Sequence, residues 1–303
     1  MNEKHLNALT DIADNHGCKY LTQEPLNRHT TFKVGGNCAV MIFINSVEAL
    51  SQCLGYCAKE NVKKLVLGNG SNVLCSDKGF DGAVLLLGKD FQNISLTDDT
   101  IEVEAGCTLG QLCMFAFNNS LSGLEFAYGI PGTVGGAVFM NAGAYDGEMS
   151  YVLTKAEAIN ENGDKRIFNA NEMALGYRSS VFQSNGYIVT KAWLKLSKSS
   201  SDKIKEKMDE FMSRRKAKQP LEYPSAGSAF KRPVGSFAGK LIQESGLRGY
   251  TVGGAQVSEK HCGFVINKNN ATFSDIKTLL QDVQKIVYGR TGYALECEVR
   301  IIE

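Results

Sequence analysis

The sequence predicts an α+β fold in two domains, and three observations carry that prediction. The chain has 303 residues, more than a single hydrophobic core usually serves. As far as about residue 200, segments with helical periodicity are interspersed with segments that have strand-like periodicity. A polar, basic helical stretch then ends at Pro220 and is followed by a separate pattern of helices and strands. We therefore place the main domain boundary near residue 200.

In the first part of the chain, amphipathic spacing predicts a helix at 2–16 and a second at 47–60. Ser46 is the N-cap of the second helix, whose apolar positions are Val47, Leu50, Leu54 and Cys57. Apolar runs predict short strands at 63–68, 73–75, 83–87 and 101–105, and a third helix is predicted at 109–119.

Two further features complete the region before residue 200. Residues 153–169 predict a β-hairpin whose turn is Asn162-Gly163-Asp164, a tripeptide typical of tight turns. The alternation at 186–196 predicts another strand.

The last hundred residues have elements of their own. SFAGKLIQESGL predicts a helix ending at Gly246, and GFVIN predicts a buried strand. A long amphipathic helix begins at Phe273 and should stop at Gly289 or Gly292. YALECEVRII predicts a closing strand at 293–302.

Composition excludes several functional classes. Thirty-three basic residues against 32 acidic ones give a net charge of +1, which supplies no general field for nucleic acid. Nine cysteines without metal-type spacing indicate small apolar residues in a reducing compartment, so neither disulfides nor a metal site is expected. The first residues lack the apolar segment of a signal peptide, and no run could span a bilayer. We expect a soluble cytoplasmic protein without membrane insertion.

A first glycine loop lies between two predicted strands, at Gly68-Asn69-Gly70-Ser71-Asn72. Glycines let the backbone approach a ligand closely, and successive amides can form an anion-binding nest. The loop is neither a dinucleotide-fold fingerprint nor a P-loop, because Val73 stands where a third glycine would be and a strand follows. The alternative is a tight turn without a ligand.

A second glycine-rich segment, GIPGTVGGAVFMNAGAY, covers residues 129–145. Each glycine costs backbone entropy, so a purely structural segment rarely needs so many. Close packing against a long phosphate-bearing cofactor would explain them, while a complex turn without a ligand is the alternative.

Three more segments contain polar side chains that suit chemistry. In Tyr177-Arg178-Ser179-Ser180 the arginine suits bidentate binding of a carboxylate, although a surface arginine is the plain alternative. In SAGSAFKRP, at 225–233, a serine and two cations suit a phosphate-bearing ligand near a reactive hydroxyl. In LECEV, Glu296 and Glu298 share one face of the predicted strand, and their spacing does not decide which is functional.

These segments occur in a fixed order that resembles one family. TTFKVGG at 30–36, LGNGSN, GIPGTVGGAVFMNAGAY, YRSS, AGSAFKRP and LECEV together are similar to the UDP-N-acetylenolpyruvoylglucosamine reductases (MurB). The resemblance runs from about Asn27 to Glu303, and six motifs in order are far more specific than any one of them. Only Ser179–Gly186 separate Arg178 from the next strand, which resembles the shorter subtype without an inserted tyrosine loop.

The resemblance implies a flavoenzyme fold of the vanillyl-alcohol-oxidase (PCMH) type. Residues 1–200 would bind FAD non-covalently in subdomains of about 1–90 and 91–200, and 201–303 would bind the UDP-sugar. The implied FAD-binding residues are Gly68, Asn69, Gly70, Ser71, Asn72, Gly129, Ile130, Pro131, Gly132, Val134, Gly135, Gly136, Ala137, Asn141 and Gly143.

The family's catalytic positions fall on Arg178, Ser228 and Glu296, with Ser228 as proton donor. The implied substrate-binding residues are Tyr177, Lys218, Lys231 and Arg232; some members carry asparagine at the last position. The implied reaction reduces the enolpyruvyl ether of UDP-N-acetylglucosamine to UDP-N-acetylmuramate, a step of peptidoglycan synthesis that supports cell-wall formation and cell division. In the family, NADPH reduces FAD and leaves before the enolpyruvyl sugar enters the same pocket.

Elementary chemistry agrees with these roles. Hydride delivery to the vinyl carbon leaves an enolate, whose charge a fixed guanidinium at Arg178 would stabilise. The enolate is a strong base, so a positioned Ser228 hydroxyl can protonate it. Glu296 would have to be protonated, or orient a neighbour, to assist.

Two rival functions stay open on the sequence. One is an oxygen-using FAD oxidase of the same fold, but such enzymes often bind flavin through histidine, and none of the four histidines lies in a glycine loop. The other is a catalytically silent nucleotide-binding or scaffold protein, against which the joint presence of Arg178, Ser228 and Glu296 counts.

Overall fold

A computed structural model describes all 303 residues of the chain. The chain forms two compact units, each assembled from three separate segments. The large unit comprises residues 1–23, 39–69 and 81–214, and the small unit comprises 24–38, 70–80 and 215–303. The sequence places a boundary near 200 and does not indicate that two early segments join the C-terminal part.

The chain contains both helices and strands, as expected for an α+β fold. The helices are α1 Glu3–Asn15, α2 Val47–Lys59, α3 Leu109–Asn118, α4 Val134–Met140, α5 Ser201–Lys218, α6 Ala238–Glu244 and α7 Phe273–Thr291. The first ten strands are β1 Tyr20–Pro25, β2 Asn37–Ile44, β3 Lys64–Leu67, β4 Val73–Cys75, β5 Phe80–Leu87, β6 Ile94–Thr97, β7 Thr100–Glu104, β8 Leu121–Ser122, β9 Gly143–Ala144 and β10 Gly147–Glu148. The others are β11 Leu153–Ile159, β12 Lys165–Asn169, β13 Ile188–Lys195, β14 Ser197–Lys198, β15 Ser225–Ser228, β16 Thr251–Val252, β17 Ala255–Val257, β18 Phe264–Asn267 and β19 Arg300–Ile302.

The large unit is built on two sheets. One has four strands in the order β1-β2-β5-β3, with β3 and β5 parallel. The other has five strands in the order β12-β11-β13-β7-β6, and all its neighbours are antiparallel. Helix α2 is begun by the Ser46 hydroxyl, which accepts a hydrogen bond from the Ala49 amide, and it buries Leu50 and Leu54 in the core of this unit.

The small unit has a four-stranded antiparallel sheet and a separate parallel pair. The sheet order is β15-β18-β17-β16, and β19 pairs with β4. Its core is formed mainly by the buried face of α7, including Ile276, Leu279 and Val283. Phe32 and Val34 of the TTFKVGG motif are buried in this same core. That motif therefore belongs to the small unit, although it lies early in the sequence.

Most predicted elements are confirmed. Helices α1, α2, α3 and α7 lie within two residues of their predicted ends, α5 ends two residues before Pro220, and the 153–169 hairpin forms as β11 and β12. Helix α7 ends at Gly292, which has the left-handed φ of +75°, and continues through Gly289. No helix is both long enough and apolar enough to cross a membrane.

The predicted closing strand at 293–302 is wrong over most of its length. Only Arg300–Ile302 form a strand, and Cys297 makes an isolated antiparallel bridge with Phe230. The partner segment reaches Pro233 soon after this bridge, and proline cannot donate the next backbone hydrogen bond. Glu296 and Glu298 therefore flank a single bridge and do not share one face of a regular strand.

Candidate active site

The two glycine loops meet within the large unit. The Asn69 side-chain amide donates a 2.6 Å hydrogen bond to the carbonyl of Pro131. Gly68 precedes Asn69, and a Cβ at Gly68 would collide with the Thr133 hydroxyl. The 68–69 segment and the start of the 129–145 segment thus form one local structure.

Several of these glycines are required by the protein itself. A Cβ at Gly135 would lie 2.9 Å from that of Ala105, and one at Gly143 would lie 2.6 Å from the carbonyl of Gly147. Gly70, in the small unit, has a φ of +59°, and a Cβ there would collide with the carbonyl oxygen of His29 and lie 2.9 Å from the Cα of Thr30. The number of glycines therefore does not by itself indicate a cofactor, because close packing of the chain explains these three and Gly68.

Gly136 differs from the others. It lies in α4 on an exposed surface, and a Cβ there would meet only the Thr133 hydroxyl, at the ordinary distance of 3.6 Å. Because Thr133 also faces Gly68, the exposed backbone of Gly136 adjoins the junction of the two loops. This side-chain-free surface fits close approach by a ligand such as FAD.

Asn141 forms the centre of a buried network in the large unit. It is fully buried and ends α4 with a φ of +41°. Its side-chain amide donates to the Gly176 carbonyl at 3.0 Å and to Glu148 at 3.1 Å, while its oxygen accepts from the Ser150 amide at 2.9 Å. The Asn141 side chain thus makes its hydrogen bonds within the protein, and it holds the segment that precedes Arg178.

Tyr177 and Arg178 occupy the two central positions of a tight turn. Gly176 and Ser179 exchange two backbone hydrogen bonds, of 3.1 and 3.2 Å. Arg178 has a φ of +53°, at the position where type II turns need a positive φ and usually place glycine. A non-glycine residue costs about 1 kcal/mol or more there. Arg178 is one of eleven non-glycine residues with a positive φ in this chain, and its turn holds the side chain on a strained backbone.

The Arg178 guanidinium is half-buried and held in place. One of its nitrogens donates to the Gly143 carbonyl at 3.1 Å, and the group lies 5.1 Å from the centre of the exposed Tyr177 ring. Behind the turn, the Gln183 amide donates to the carbonyls of Arg178 and Phe139, both at 3.0 Å. The turn is therefore fixed to the C-terminal end of α4 and to the residues that follow it.

The small unit brings together Ser228, Lys231 and Glu296. The Phe230–Cys297 bridge holds their two segments side by side, since Lys231 donates its amide to the Glu296 carbonyl at 2.9 Å. The Lys231 ammonium donates to the Glu296 carboxylate at 2.5 Å. Ser228, which ends β15, is exposed and follows Gly227, whose φ is +76°.

The other predicted residues of the small unit are placed as follows. Lys218 is the exposed last residue of α5, and the Arg232 guanidinium lies 4.8 Å from the centre of the exposed Phe237 ring. Asn72 donates its side-chain amide to the Glu298 carbonyl at 3.1 Å, so it braces the segment that bears the predicted glutamates. Arg178 belongs to the large unit, whereas Ser228 and Glu296 belong to the small one.

Sequence reasoning missed the residues that support this site. Thr133 lies against two glycines and Gln183 holds the carbonyl of Arg178, but neither has a spacing that would reveal it. Ser180 was noted only as part of YRSS; its hydroxyl donates to the Phe139 carbonyl at 2.7 Å.

Comparison with known families gives two matches along the chain. Residues 38–168 match the family model described as FAD binding domain. Residues 219–302 match the model described as UDP-N-acetylenolpyruvoylglucosamine reductase, C-terminal domain.

Whole-chain relatives agree with these matches. A UDP-N-acetylenolpyruvoylglucosamine reductase of Caldanaerobacter subterraneus subsp. tengcongensis is 45% identical over 94% of both chains. The reductase of Lachnoclostridium phytofermentans is 44% identical over 100% of this chain and 98% of its own. The crystal structure of MurB from Thermus caldophilus superimposes with a TM-score of 0.81 at 36% identity, covering 94% of this chain and 99% of that one. The predicted α+β fold is confirmed by this superposition.

Proposed function

We propose a function from one premise: the chain belongs to the UDP-N-acetylenolpyruvoylglucosamine reductase (MurB) family. It is an FAD-dependent oxidoreductase of peptidoglycan synthesis. We infer that it reduces the enolpyruvyl ether of UDP-N-acetylglucosamine to UDP-N-acetylmuramate with NADPH as reductant. The observation that carries this reaction is the grouping of Ser228, Lys231 and Glu296 on two bridged segments.

FAD would be held by the large unit at the junction of the glycine loops. Gly68 and Asn69 lie there with Pro131, and Gly136 offers backbone without a side chain. FAD bound there would supply the hydride chemistry by which a hydride from NADPH reaches the vinyl carbon of the sugar ether. Asn141 and Gly143 act less directly in this proposal, since their atoms support the Arg178 turn.

Arg178 is proposed to stabilise the enolate that hydride addition leaves on the substrate. A guanidinium fixed before the reaction needs no reorganisation as charge develops, which is what makes such groups effective. Its hydrogen bond to Gly143 and the left-handed turn supply that fixation.

Ser228 is proposed to give the enolate its proton at the adjacent carbon. The hydroxyl is exposed at the end of β15, where a substrate can reach it. A serine is a weak acid, but an enolate is basic enough to take the proton from a positioned hydroxyl.

Lys231 and Glu296 are proposed to act together in the small unit. Their ion pair fixes the ammonium at a defined place, where it would bind the diphosphate of the UDP-sugar along with Lys218. The carboxylate that accepts from Lys231 cannot itself stabilise an anion, so Glu296 is assigned to orienting Lys231. Tyr177 and Arg232 are proposed as further residues that contact the substrate.

The experiment is stopped-flow absorbance on Ser228→Ala, with each half-reaction measured separately. Flavin reduction by NADPH needs no proton from this hydroxyl and should keep its wild-type rate. Reoxidation by the enolpyruvyl UDP-sugar should slow by roughly 10²–10⁴-fold, as expected for a lost general acid.

Ser236→Ala, in the same unit, is the matched control and should alter neither rate. If the wild-type flavin is bleached by NADPH but never reoxidised by the UDP-sugar, the proposed substrate is wrong. Equal reoxidation by wild type and Ser228→Ala would remove only Ser228 from the mechanism.

A further inference from the structure

His261 lies in a tightly bonded turn of the small unit that the sequence did not single out. The hydroxyl of Ser258, which is 1% exposed, accepts from the amides of Lys260 at 3.2 Å and His261 at 3.3 Å. The imidazole Nδ1 accepts from the Gly263 amide at 3.1 Å. An acceptor at Nδ1 places the proton of the neutral ring on Nε2. The turn therefore fixes both the orientation and the tautomer of the ring.

The same turn holds the segment that carries Ser228. The Gly263 carbonyl accepts from the Ala229 amide at 2.8 Å, and Phe264 is the register partner of Ser228. The His261 ring packs edge-on against Phe264, with centres 5.1 Å apart. Gly263 thus donates to His261 on one side and accepts from the residue after Ser228 on the other.

On its other side the turn contacts the end of α5. The Lys260 ammonium donates to the Lys216 carbonyl at 2.8 Å and lies 3.7 Å from Glu222. Burial lowers the pKa of His261, a backbone hydrogen bond opposes that shift, and the positive charge of Lys218 adds to it. The turn at 258–263 therefore connects the end of α5 to the segment of Ser228.

We propose that His261 is a positioning residue for the reductive half-reaction: its Nδ1 fixes Gly263, and through Gly263 it sets the place of Ser228. This role rests on the proposed function, in which Ser228 is the proton donor. It requires an unprotonated Nδ1, because a protonated nitrogen cannot accept from the Gly263 amide.

A pH dependence follows from that requirement. The charged group that acts on the ring is Lys218, at the end of α5. The turn itself carries Glu259 and Lys260; Lys260 pairs with Glu222, and Arg248 donates to the Glu259 carbonyl. β18 and α6 present Phe264 and Gly239, which carry no charge. Protonation would place a second positive charge in the field of Lys218 and break the Gly263 bond. Since the pKa is lowered from 6.5, the ring is neutral at pH 7, and the loss occurs only in acid.

The test compares His261→Leu with His261→Asn, whose side-chain oxygen can still accept near the Nδ1 position. FAD content and NADPH bleaching should match wild type in both. Reoxidation by the UDP-sugar should slow about 10²-fold in His261→Leu, the scale of a misplaced reacting group, and recover to within about tenfold in His261→Asn. The wild-type reoxidation rate should fall in acid, and His261→Asn should lack that fall. His16→Asn, at the end of α1, should change nothing.

A measurement without turnover runs in parallel. The holoenzyme is labelled with nitrogen-15 histidine and studied by NMR. The His261 signal is the one that disappears in His261→Asn, and it should show the tautomer protonated at Nε2. The opposite tautomer would overturn the proposal. So would a His261→Leu variant that is reoxidised at the wild-type rate and with the wild-type pH profile. Failure of the wild type to reduce the sugar would instead defeat the proposed function itself.

Discussion

Arg178 stands in a backbone conformation that arginine does not favour. Its φ of +53° is maintained by the Gly176–Ser179 bonds, the Gln183 amide and the Asn141 network behind the turn. A glycine would occupy the position at lower energy. In the proposed function this cost is offset by a guanidinium held in place for the enolate.

Substitution by glycine and by alanine separates this strain from the function. Arg178→Gly and Arg178→Ala both lose the guanidinium, but only alanine keeps a Cβ that conflicts with the positive φ. Arg178→Gly should be more stable than Arg178→Ala by about 1 kcal/mol in urea unfolding. Both should slow reoxidation by roughly 10²–10³-fold. Equal unfolding midpoints would show that the turn is not left-handed in solution.

At this scale the sequence indicated candidate residues but did not show which of them pair. Lys231 and Glu296 were both expected at the site, yet nothing in their spacing showed that they form an ion pair. Such a contact depends on the Phe230–Cys297 bridge between distant segments. Likewise, local patterns could not show that Gly68 faces Thr133 and that Gly136 faces open space.

Among the elements, α4 lies at the junction of the two glycine loops, where FAD is proposed to bind. The sequence did not predict this helix, because its two glycines and its setting among other glycines indicate turns. It forms because Val134, Ala137 and Val138 are buried on one side. Strand β2 was missed although its sequence, NCAVMIFI, is an apolar run like those that predicted the strands at 73–75 and 83–87.

Two glycines with similar surroundings test the role of α4. Gly136→Val places a side chain on the exposed surface beside the loop junction, whereas Gly110→Val in α3 enters equally open space away from it. Gly136→Val should raise the dissociation constant of FAD tenfold or more, which corresponds to about 1.4 kcal/mol. Titration of each apoprotein with FAD measures this, and Gly110→Val should bind normally. Normal binding by Gly136→Val would exclude α4 from the FAD site.

Helix α7 offers a second matched pair, independent of function. Gly292 ends the helix at a φ of +75°, while Gly289 lies inside it without a positive φ; neither has an atom within 4 Å of an added Cβ. Gly292→Ala should destabilise the protein by about 1 kcal/mol, and Gly289→Ala should stabilise it by about 0.5–1 kcal/mol. Chemical denaturation of the two variants should give shifts of opposite sign.

Over the whole molecule, the nine cysteines are all unpaired and eight are buried. Burial raises the pKa of Cys53 and Cys75 to about 12 and that of Cys38 to about 11. The ordinary pKa of a cysteine thiol is 9.0. A thiol whose pKa is raised by folding contributes stability that is fully present below that pH. That stability is lost as the pH rises toward the folded-state value, because only the unfolded chain releases the proton.

The free energy of unfolding should therefore decline steeply above about pH 9. Each such thiol contributes up to about 1.4 kcal/mol per pH unit, so several together should dominate the alkaline limb. Urea unfolding between pH 8 and 10.5 measures the slope, and Cys53→Ala should make it shallower. Native protein should also react slowly with a thiol reagent at pH 8. Rapid labelling of most thiols would contradict the burial.

The parallel pairing of β19 with β4 has a consequence for how the chain is made. Asn72 and the Glu298 carbonyl that it binds are 226 residues apart, and β19 lies beyond them. At about 5–20 residues per second, a ribosome needs roughly 11–45 s to pass from one to the other. During that interval β4 and the second half of the first glycine loop have emerged without their partners. The small unit therefore cannot complete this pairing until Arg300–Ile302 have been translated.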